Sequence, residues 1–312
     1  MEMKYIDIHS HLDFTDYGRD QKEIIQKMKN SGIFTVTIGT GVESSKEAVK
    51  LAEENENIYA CIGNHPDDET GEIPARPNEN SFGHSGGFDE KDYEGLVKSP
   101  KVVAIGECGL DYFRLVSKFN EGLSLKRNEV TGKGETLVEF IQSEKNKQID
   151  QFKKQIEFAI KYKKPLMLHV RDFSQGETLN LQKGVSLEKS AYEDTYDILK
   201  TYSQGLTLTG NIHFFAGTLD WAKKFVELGF TVSFTGVITF ARSYDEVIKK
   251  IPLDKIHAET DSPFVAPIPF RGKRNEPNYV VEVYKKIAEI RGEDFEVVRR
   301  QLVENAKRVF KI

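Results

Sequence analysis

The stretch Tyr5-Ile6-Asp7-Ile8-His9-Ser10-His11 predicts a first β-strand with polar chemistry at its carboxyl end. Side chains alternate between the two faces of a strand. His9 and His11 are therefore expected on one face, and Ile6 and Ile8 on the other, beneath an outer layer of helices. Two neutral imidazoles from one strand end supply half of a metal site, although the pair taken alone is also typical of a solvated strand end.

The rest of the chain alternates short apolar strands with amphipathic helices. Seven further strands are predicted, over residues 34–39, 58–62, 102–106, 165–169, 210–215, 230–234 and 256–261. Such alternation predicts a parallel sheet with right-handed crossovers. Eight strand–helix units in 312 residues favour a (β/α)8 TIM barrel over an open, doubly wound sheet.

Three polar segments interrupt this alternation, at residues 67–89, 113–144 and 173–190. Each follows the carboxyl end of a predicted strand, which is the face where barrel active sites form. They are expected to form a rim or lid there, or to be tolerated surface loops, and the second could carry a short helix. No linker marks a second domain, so residues 1–312 are predicted to form a single TIM-barrel domain.

The composition is that of an ordinary soluble globular protein, with 38% hydrophobic and 30% charged residues. A net charge of −5 argues against nonspecific electrostatic binding of nucleic acid. A polyanionic substrate would therefore be bound locally, by metal ions and a few Arg or Lys residues. Two cysteines are too few for a disulfide framework. Without an apolar leader or a membrane-length apolar run, a cytoplasmic location is expected, with no membrane association and no obligate protein partner.

Ionisable residues collect at the carboxyl ends of the predicted strands, including five of the seven histidines. These residues are His9, His11, His65, Glu107, His169, His213 and Asp261. Nitrogen and carboxylate ligands that converge on one barrel mouth are what a divalent metal needs. The set exceeds one tetrahedral site, which points to two ions bridged by Glu107. His84 lies in an insert and His257 inside a strand, where solvation and packing respectively explain them.

Seven motifs, in order, resemble those of the TatD-like metal-dependent deoxyribonucleases of the amidohydrolase superfamily. They are Asp7-Ile8-His9-Ser10-His11-Leu12, Gly63-Asn64-His65-Pro66, Gly106-Glu107-Cys108-Gly109-Leu110-Asp111-Tyr112, Leu168-His169-Val170-Arg171, Ile212-His213-Phe214-Phe215-Ala216-Gly217, Glu259-Thr260-Asp261-Ser262-Pro263 and Arg271-Gly272-Lys273-Arg274-Asn275-Glu276-Pro277. The resemblance covers nearly the whole chain apart from the three inserts, and those at residues 113–144 and 173–190 are longer than the usual connections of that family.

The resemblance implies a hydrolase, typically a 3′–5′ exonuclease, that cleaves DNA phosphodiester bonds with a metal-activated water. Two divalent ions per chain are implied, with His9, His11, Glu107 and Asp261 holding the first and Glu107, His169 and His213 holding the second. Asp261 would also orient or deprotonate the attacking water. Imidazole-rich sites favour Zn²⁺ or Mn²⁺, whereas the similar enzymes are usually described with Mg²⁺, so the identity of the ions stays open.

The expected substrate is DNA, single-stranded or with frayed 3′ ends. The resemblance implies that His65 contacts a substrate phosphate, and Arg171 offers a guanidinium fork that matches phosphate oxygens. Arg271 and Arg274, with Lys273 between them, either grip the nucleic-acid backbone further out or form a solvated basic loop. Tyr112 and Phe215 could stack on a terminal base, but aromatic residues at strand ends are more often packing residues. Cys108 is expected to be a buried small residue rather than a soft metal ligand.

Two other functions use the same residues. A related amidohydrolase could cleave an ester or amide of a small molecule, or an aminoacyl ester on tRNA, with the same activated water. A metal-binding barrel could also serve as a non-enzymatic scaffold. The cationic residues at 65, 171 and 271–274 favour a phosphate-bearing substrate, and the full ligand set argues against the scaffold.

Overall fold

The computed structural model describes residues 1–14, 16–67, 87–126, 136–173, 189–205 and 208–312. Most of the first and third predicted inserts, part of the second, and His84 lie outside the described residues. The strands are β1 Tyr5–Ser10, β2 Ile33–Ile38, β3 Ile58–Ile62, β4 Val102–Asp111, β5 Leu166–Arg171, β6 Gly210–Ile212, β7 Phe230–Phe234 and β8 Ile256–Ala258. The helices are α1 Gln21–Ser31, α2 Val42–Glu54, α3 Glu90–Tyr93, α4 Leu115–Lys126, α5 Leu137–Tyr162, α6 Ala191–Tyr202, α7 Leu219–Glu227, α8 Asp245–Lys250, α9 Val280–Arg291 and α10 Phe295–Phe310.

The eight strands form one parallel sheet in sequence order, β1 to β8. A parallel bridge between Ser10 and Ser262 brings the last strand back to the first, and the His11 amide donates to the Ser262 carbonyl over 2.8 Å. The barrel is therefore nearly closed, and the prediction of a (β/α)8 barrel is confirmed. The prediction of a single domain over the whole chain stays a prediction.

The side-chain alternation predicted for β1 is wrong for Ile6 and Ile8. Both belong to a buried cluster that joins strands β1 to β5, including Met167, with the last helix. They therefore fill the barrel interior instead of lying beneath the outer helices. A register shift follows between Asp7 and Ser10, where three steps along β1 match two along β2, and it breaks the simple alternation before His9 and His11. Such a bulge re-aims the residues that follow it.

Strand β4 extends five residues beyond its predicted end at Gly106, because its pairing with β5 continues to Asp111 opposite Arg171. Two glycines allow this. A Cβ atom on Gly106 would collide with the Met167 carbonyl, and one on Gly109 with the His169 carbonyl. Both glycines also have positive φ values, which residues with a Cβ rarely adopt.

The second predicted insert is largely helical. Its first part forms α4, as the prediction of a short helix there expected, and α5 already begins at Leu137, within the predicted insert at residues 113–144. The earlier start has a local cause, since Thr136 and Glu139 form a reciprocal capping box. The rings of Phe119 on α4 and Phe140 on α5 then pack with centroids 5.5 Å apart.

The helices cover the barrel with apolar side chains, and a few polar groups tie them to the sheet. The Tyr284 hydroxyl of α9 accepts from the Ile6 amide over 3.1 Å and donates to the Ile6 carbonyl over 3.0 Å. Gln148 of α5 makes a similar pair of bonds with the backbone of Asp111, at 2.8 and 2.9 Å. None of the described helices is both long and apolar enough to cross a membrane.

Candidate metal centre

Six predicted side chains meet at the carboxyl end of the barrel: His9, His11, Glu107, His169, His213 and Asp261. They come from β1, β4 and β5 and from the segments that follow β1, β6 and β8. All are buried except His169, which is partly exposed. The site thus joins residues from both ends of the chain, as the strand order of a closed barrel requires.

Glu107 lies at the middle of this cluster. Its Oε1 is 2.7 Å from His169 Nδ1 and 2.7 Å from His213 Nε2. Its Oε2 lies on the other side, 3.5 Å from His9 Nε2 and 3.8 Å from His11 Nε2. Each carboxylate oxygen therefore faces its own pair of imidazoles, which is the arrangement of a bridging ligand.

Asp261 adds a second carboxylate on the His9 side. Its Oδ1 lies 3.7 Å from His9 Nε2 and 3.5 Å from His11 Nε2. Strand β8 ends at Ala258, three residues earlier than predicted, and Asp261 follows it in the left-handed region with φ 52°. Strained non-glycine residues of this kind cluster at functional sites. The turn is held by the Asp261 amide, which donates to the His9 carbonyl over 2.9 Å.

The donor set fits divalent metal ions. Neither ring nitrogen of the fully buried His9 has a hydrogen-bond partner among the described residues. His11 Nδ1 donates to the Ile38 carbonyl over 3.0 Å, which leaves Nε2 free to face the carboxylates. A ligating histidine usually donates its other ring nitrogen in this way. His9, His11 and Glu107 form one group with metal-like spacing, and Glu107, His169 and His213 form another.

The charge of Glu107 is set by its surroundings. Burial by itself would raise the pKa of this carboxyl group, but the imidazoles of His213, His65 and His9 hold it well below its usual range. The central carboxylate is therefore ionised, as a bridging ligand must be.

Two buried carboxylates behind the cluster were missed by the sequence analysis. His169 Nε2 donates to Asp111 Oδ2 over 2.9 Å, and His213 Nδ1 lies 3.8 Å from Glu259 Oε1. Burial would raise the pKa of Asp111, but its hydrogen bond with His169 and nearby positive groups lower it to about 2. Asp111 stands in a quoted motif, yet the predicted end of β4 at Gly106 placed it outside the strand. Glu259 likewise stands in a quoted motif, two residues before Asp261.

His65 lies at the edge of the cluster. Its Nε2 is 3.6 Å from Glu107 Oε1 and 3.3 Å from His169 Nδ1. Its Nδ1 accepts a hydrogen bond from the Asp67 amide over 3.1 Å, which fixes the ring. Burial and the charge of His169 lower the pKa of His65 to about 4, so this imidazole is neutral near pH 7.

The predicted basic residues lie in different surroundings. Arg171 and Arg271 are exposed, and each guanidinium covers a phenylalanine ring. Arg274 is instead held within the protein, since it pairs with Asp20 at 3.1 Å and with Glu276 at 3.5 Å. Its charge is already compensated, so the geometry favours a structural role for this residue.

Several other candidates are packing residues. The Tyr112 hydroxyl donates to Asp194 over 2.8 Å and its ring is buried, as is that of Phe215. Cys108 is fully buried with its sulfur near two backbone carbonyls. His257 is also buried and lies 3.1 Å from the Thr231 hydroxyl. Burial therefore excludes base stacking by either aromatic ring, and the expected packing roles of Cys108 and His257 are confirmed.

Comparison with known proteins shows to which family this chain belongs. A sequence model of the TatD related DNase family matches residues 6–311. The uncharacterized metal-dependent hydrolase YabD of Bacillus subtilis is 33% identical over 313 residues, covering 98% of this chain and 98% of its own length. A protein of Erwinia billingiae named 3′-5′ ssDNA/RNA exonuclease TatD is 26% identical over 316 residues, covering 98% of each chain.

The fold agrees with solved structures of the same family. The crystal structure of the TatD homologue YjjV of Escherichia coli superimposes with a TM-score of 0.73 at 23% identity, and covers 100% of both chains. A TatD family hydrolase of Entamoeba histolytica gives a TM-score of 0.69 at 18% identity, covering 99% of each chain. The resemblance seen in the motifs is thus confirmed over almost the entire sequence. This chain belongs to the TatD related DNase family and is a metal-dependent hydrolase.

Proposed function

We propose that this protein is a metal-dependent 3′–5′ exonuclease that removes nucleotides from single-stranded DNA. The observation that carries the proposal is Glu107, whose two oxygens each face a separate pair of imidazoles at the barrel mouth. A carboxylate bridge between two ions suits phosphodiester cleavage, in which both the attacking and the leaving oxygen need charge stabilisation. The name of the Erwinia billingiae relative supports a nucleic-acid substrate.

Two divalent ions, Mg²⁺, Mn²⁺ or Zn²⁺, would complete the site. His9, His11, Glu107 and Asp261 would hold the first, and Glu107, His169 and His213 the second. When bound, the ions supply a polarised water and neutralise charge on the phosphoryl oxygens. The protein excludes bulk water from this centre, because most of its ligand side chains are buried.

The remaining roles follow from position. Asp261 has one oxygen near the His9–His11 pair and is the carboxylate best placed to accept a proton from the attacking water. His65 contacts a substrate phosphate at the edge of the centre, donating from Nε2 since Nδ1 is used as an acceptor. Arg171 and Arg271, exposed at the rim, bind the nucleic-acid strand further out. Arg274 supports the loop that carries Arg271.

Incubation with labelled single-stranded DNA tests the proposal. With Mg²⁺ or Mn²⁺, 5′-labelled DNA is expected to give a ladder of shortening products, and a chelator should abolish it. Asp261→Asn is expected to lower the rate about 10²- to 10⁴-fold, the contribution usual for a general base. Asp197→Asn is the matched control, since Asp197 is an exposed residue of helix α6 that pairs with Lys189, and it should keep the wild-type rate.

Other outcomes would redirect the assignment. If DNA stays intact while small esters or aminoacyl-tRNA are cleaved in a chelator-sensitive way, the protein is a related amidohydrolase and not a nuclease. If metal binds but no substrate turns over, the scaffold function replaces both enzymatic ones.

A further inference from the structure

Two exposed arginines at the barrel mouth are stacked on phenylalanine rings. The Arg171 guanidinium carbon lies 3.7 Å from the centroid of the Phe113 ring, and that of Arg271 lies 3.9 Å from the centroid of Phe240. Both distances are well within the range of cation–π contacts, and arginine is the cation that stacks on aromatic faces. The Phe240 ring is itself 39% exposed, which is unusual for a large apolar side chain.

Within the described part of the chain, neither arginine forms an ion pair with a carboxylate. Arg242 and Arg274, in the same region, pair with Asp245 and with Asp20 respectively. In a protein of net charge −5, two exposed guanidinium groups without such a partner are free to meet an anionic ligand. Each is also preorganised, because the ring beneath it fixes the plane of the guanidinium group.

The two pairs lie on different sides of the metal centre. Phe113 follows the end of β4 and Arg171 ends β5, whereas Phe240 follows β7 and Arg271 follows β8. Around the barrel, strand β6, which leads to His213, lies between the two arginine–phenylalanine pairs on one side. Strands β1 to β3 lie between them on the other side. A strand that crosses the mouth over the metal ligands can therefore meet one pair on each side of the scissile phosphate.

We propose that Phe113–Arg171 and Phe240–Arg271 are two base-stacking stations for single-stranded nucleic acid. One face of each guanidinium lies on its phenylalanine, and the other face accepts an unpaired base, while the N–H groups at its edge bind the adjacent phosphate. This inference rests on the proposed function, which it deepens by naming how unpaired bases are held. A paired base has both faces occupied within its duplex, so the stations select single strands.

Binding to oligonucleotides with and without bases tests the stations. Fluorescence anisotropy would compare a labelled, hydrolysis-resistant phosphorothioate oligodeoxyadenylate with an abasic strand of the same length, in the presence of Mn²⁺. Wild-type protein is expected to bind the base-bearing strand at least about tenfold more tightly, since stacking is worth roughly this factor per base. Arg171→Lys and Arg271→Lys keep the charge, and Phe113→Leu and Phe240→Leu keep most of the apolar volume. Each variant should lose several-fold in affinity for the base-bearing strand and little for the abasic one.

Arg242→Lys is the matched control, because Arg242 is exposed and ion-paired, and it should keep the wild-type preference for bases. Melting temperatures would show that each variant is folded. Equal binding of the two strands by wild-type protein would overturn the stations and leave the nuclease proposal standing. Equal losses on both strands in the variants would also overturn them, since the arginines would then be plain phosphate contacts. If wild-type protein bound neither strand, the proposed function would fail as well.

Discussion

The two imidazoles on the Oε1 side of Glu107 differ from the other two in what stands behind them. His169 donates to the carboxylate of Asp111, and His213 lies next to that of Glu259. His11 Nδ1 donates to the Ile38 carbonyl, and neither ring nitrogen of His9 has a hydrogen-bond partner among the described residues. A carboxylate behind a histidine raises the basicity of the ligating nitrogen. His213 Nδ1 forms no hydrogen bond with Glu259 among the described residues, and burial raises the pKa of that carboxyl group well above its usual range. His169, a proposed ligand of the second ion, is therefore expected to be the most strongly donating of the four imidazoles.

Replacement of Asp111 by Asn tests this difference. The variant keeps the size of the side chain but removes the charge behind His169, so the affinity of one ion should fall about 10- to 100-fold while the other changes little. Isothermal titration of the metal-free protein with Mn²⁺ or Zn²⁺ measures both affinities. Asp172→Asn serves as the control, because Asp172 accepts from the Ala191 amide and belongs to none of the groups with metal-like spacing among the described residues. Unchanged affinities in the Asp111 variant would contradict the assignment.

For single residues, the sequence predicts which side chains follow the carboxyl ends of the strands. Any side chain that closely follows a buried strand of a parallel barrel lies at one mouth, so the six ligand candidates were found from order alone. Partners behind the ligands were not found, because the contact of Asp111 with His169 depends on how far β4 pairs with β5. The ion pair of Arg274 was hidden for the same reason, since its partner Asp20 is 254 residues away in sequence.

Strand β4 carries Glu107, the proposed bridging carboxylate, and its close contact with β5 depends on Gly106. A Cβ atom there would overlap the Met167 carbonyl, and the residue has a φ of 152°. Gly106→Ala should therefore lower the free energy of unfolding by about 2–6 kcal/mol, since backbone strain and overpacking each cost roughly 1–3 kcal/mol. Urea unfolding of the metal-free protein measures the change. Gly95→Ala is the control, because its Cβ would meet open space, and it should cost nothing measurable. Equal stability of the two variants would refute this account of β4.

Element boundaries were predicted less well than element order. The eight strands follow from alternating apolar runs and helices, but a bulge changes the length and the facing of a strand without changing its composition. This happened in β1, where the register shifts between Asp7 and Ser10, and in β4, which continued past Gly106. The start of α5 was different, since the capping pair Thr136 and Glu139 is visible in the sequence and predicts the observed start.

The metal centre also bears on the stability of the whole molecule. Its proposed ligands lie in or just after five strands, β1, β4, β5, β6 and β8, between positions 9 and 261 of the chain. Ions bound there link the strands across the mouth, including the junction where the Asp261 amide reaches the His9 carbonyl. The unfolded chain has no such preformed site, so metal binding adds directly to folding stability.

Removal of metal should therefore lower the melting temperature. Free metal at about 100 times its dissociation constant stabilises the folded state by about 2.7 kcal/mol per site. For a chain of this size that corresponds to about 5 °C, which differential scanning fluorimetry with and without chelator resolves. His213→Ala removes one proposed ligand and should show a smaller shift, whereas Asp172→Asn should keep the full one. If a chelator left the wild-type melting temperature unchanged, or lowered that of the His213 variant by the same amount as that of the wild type, the metal would not stabilise the barrel through these residues.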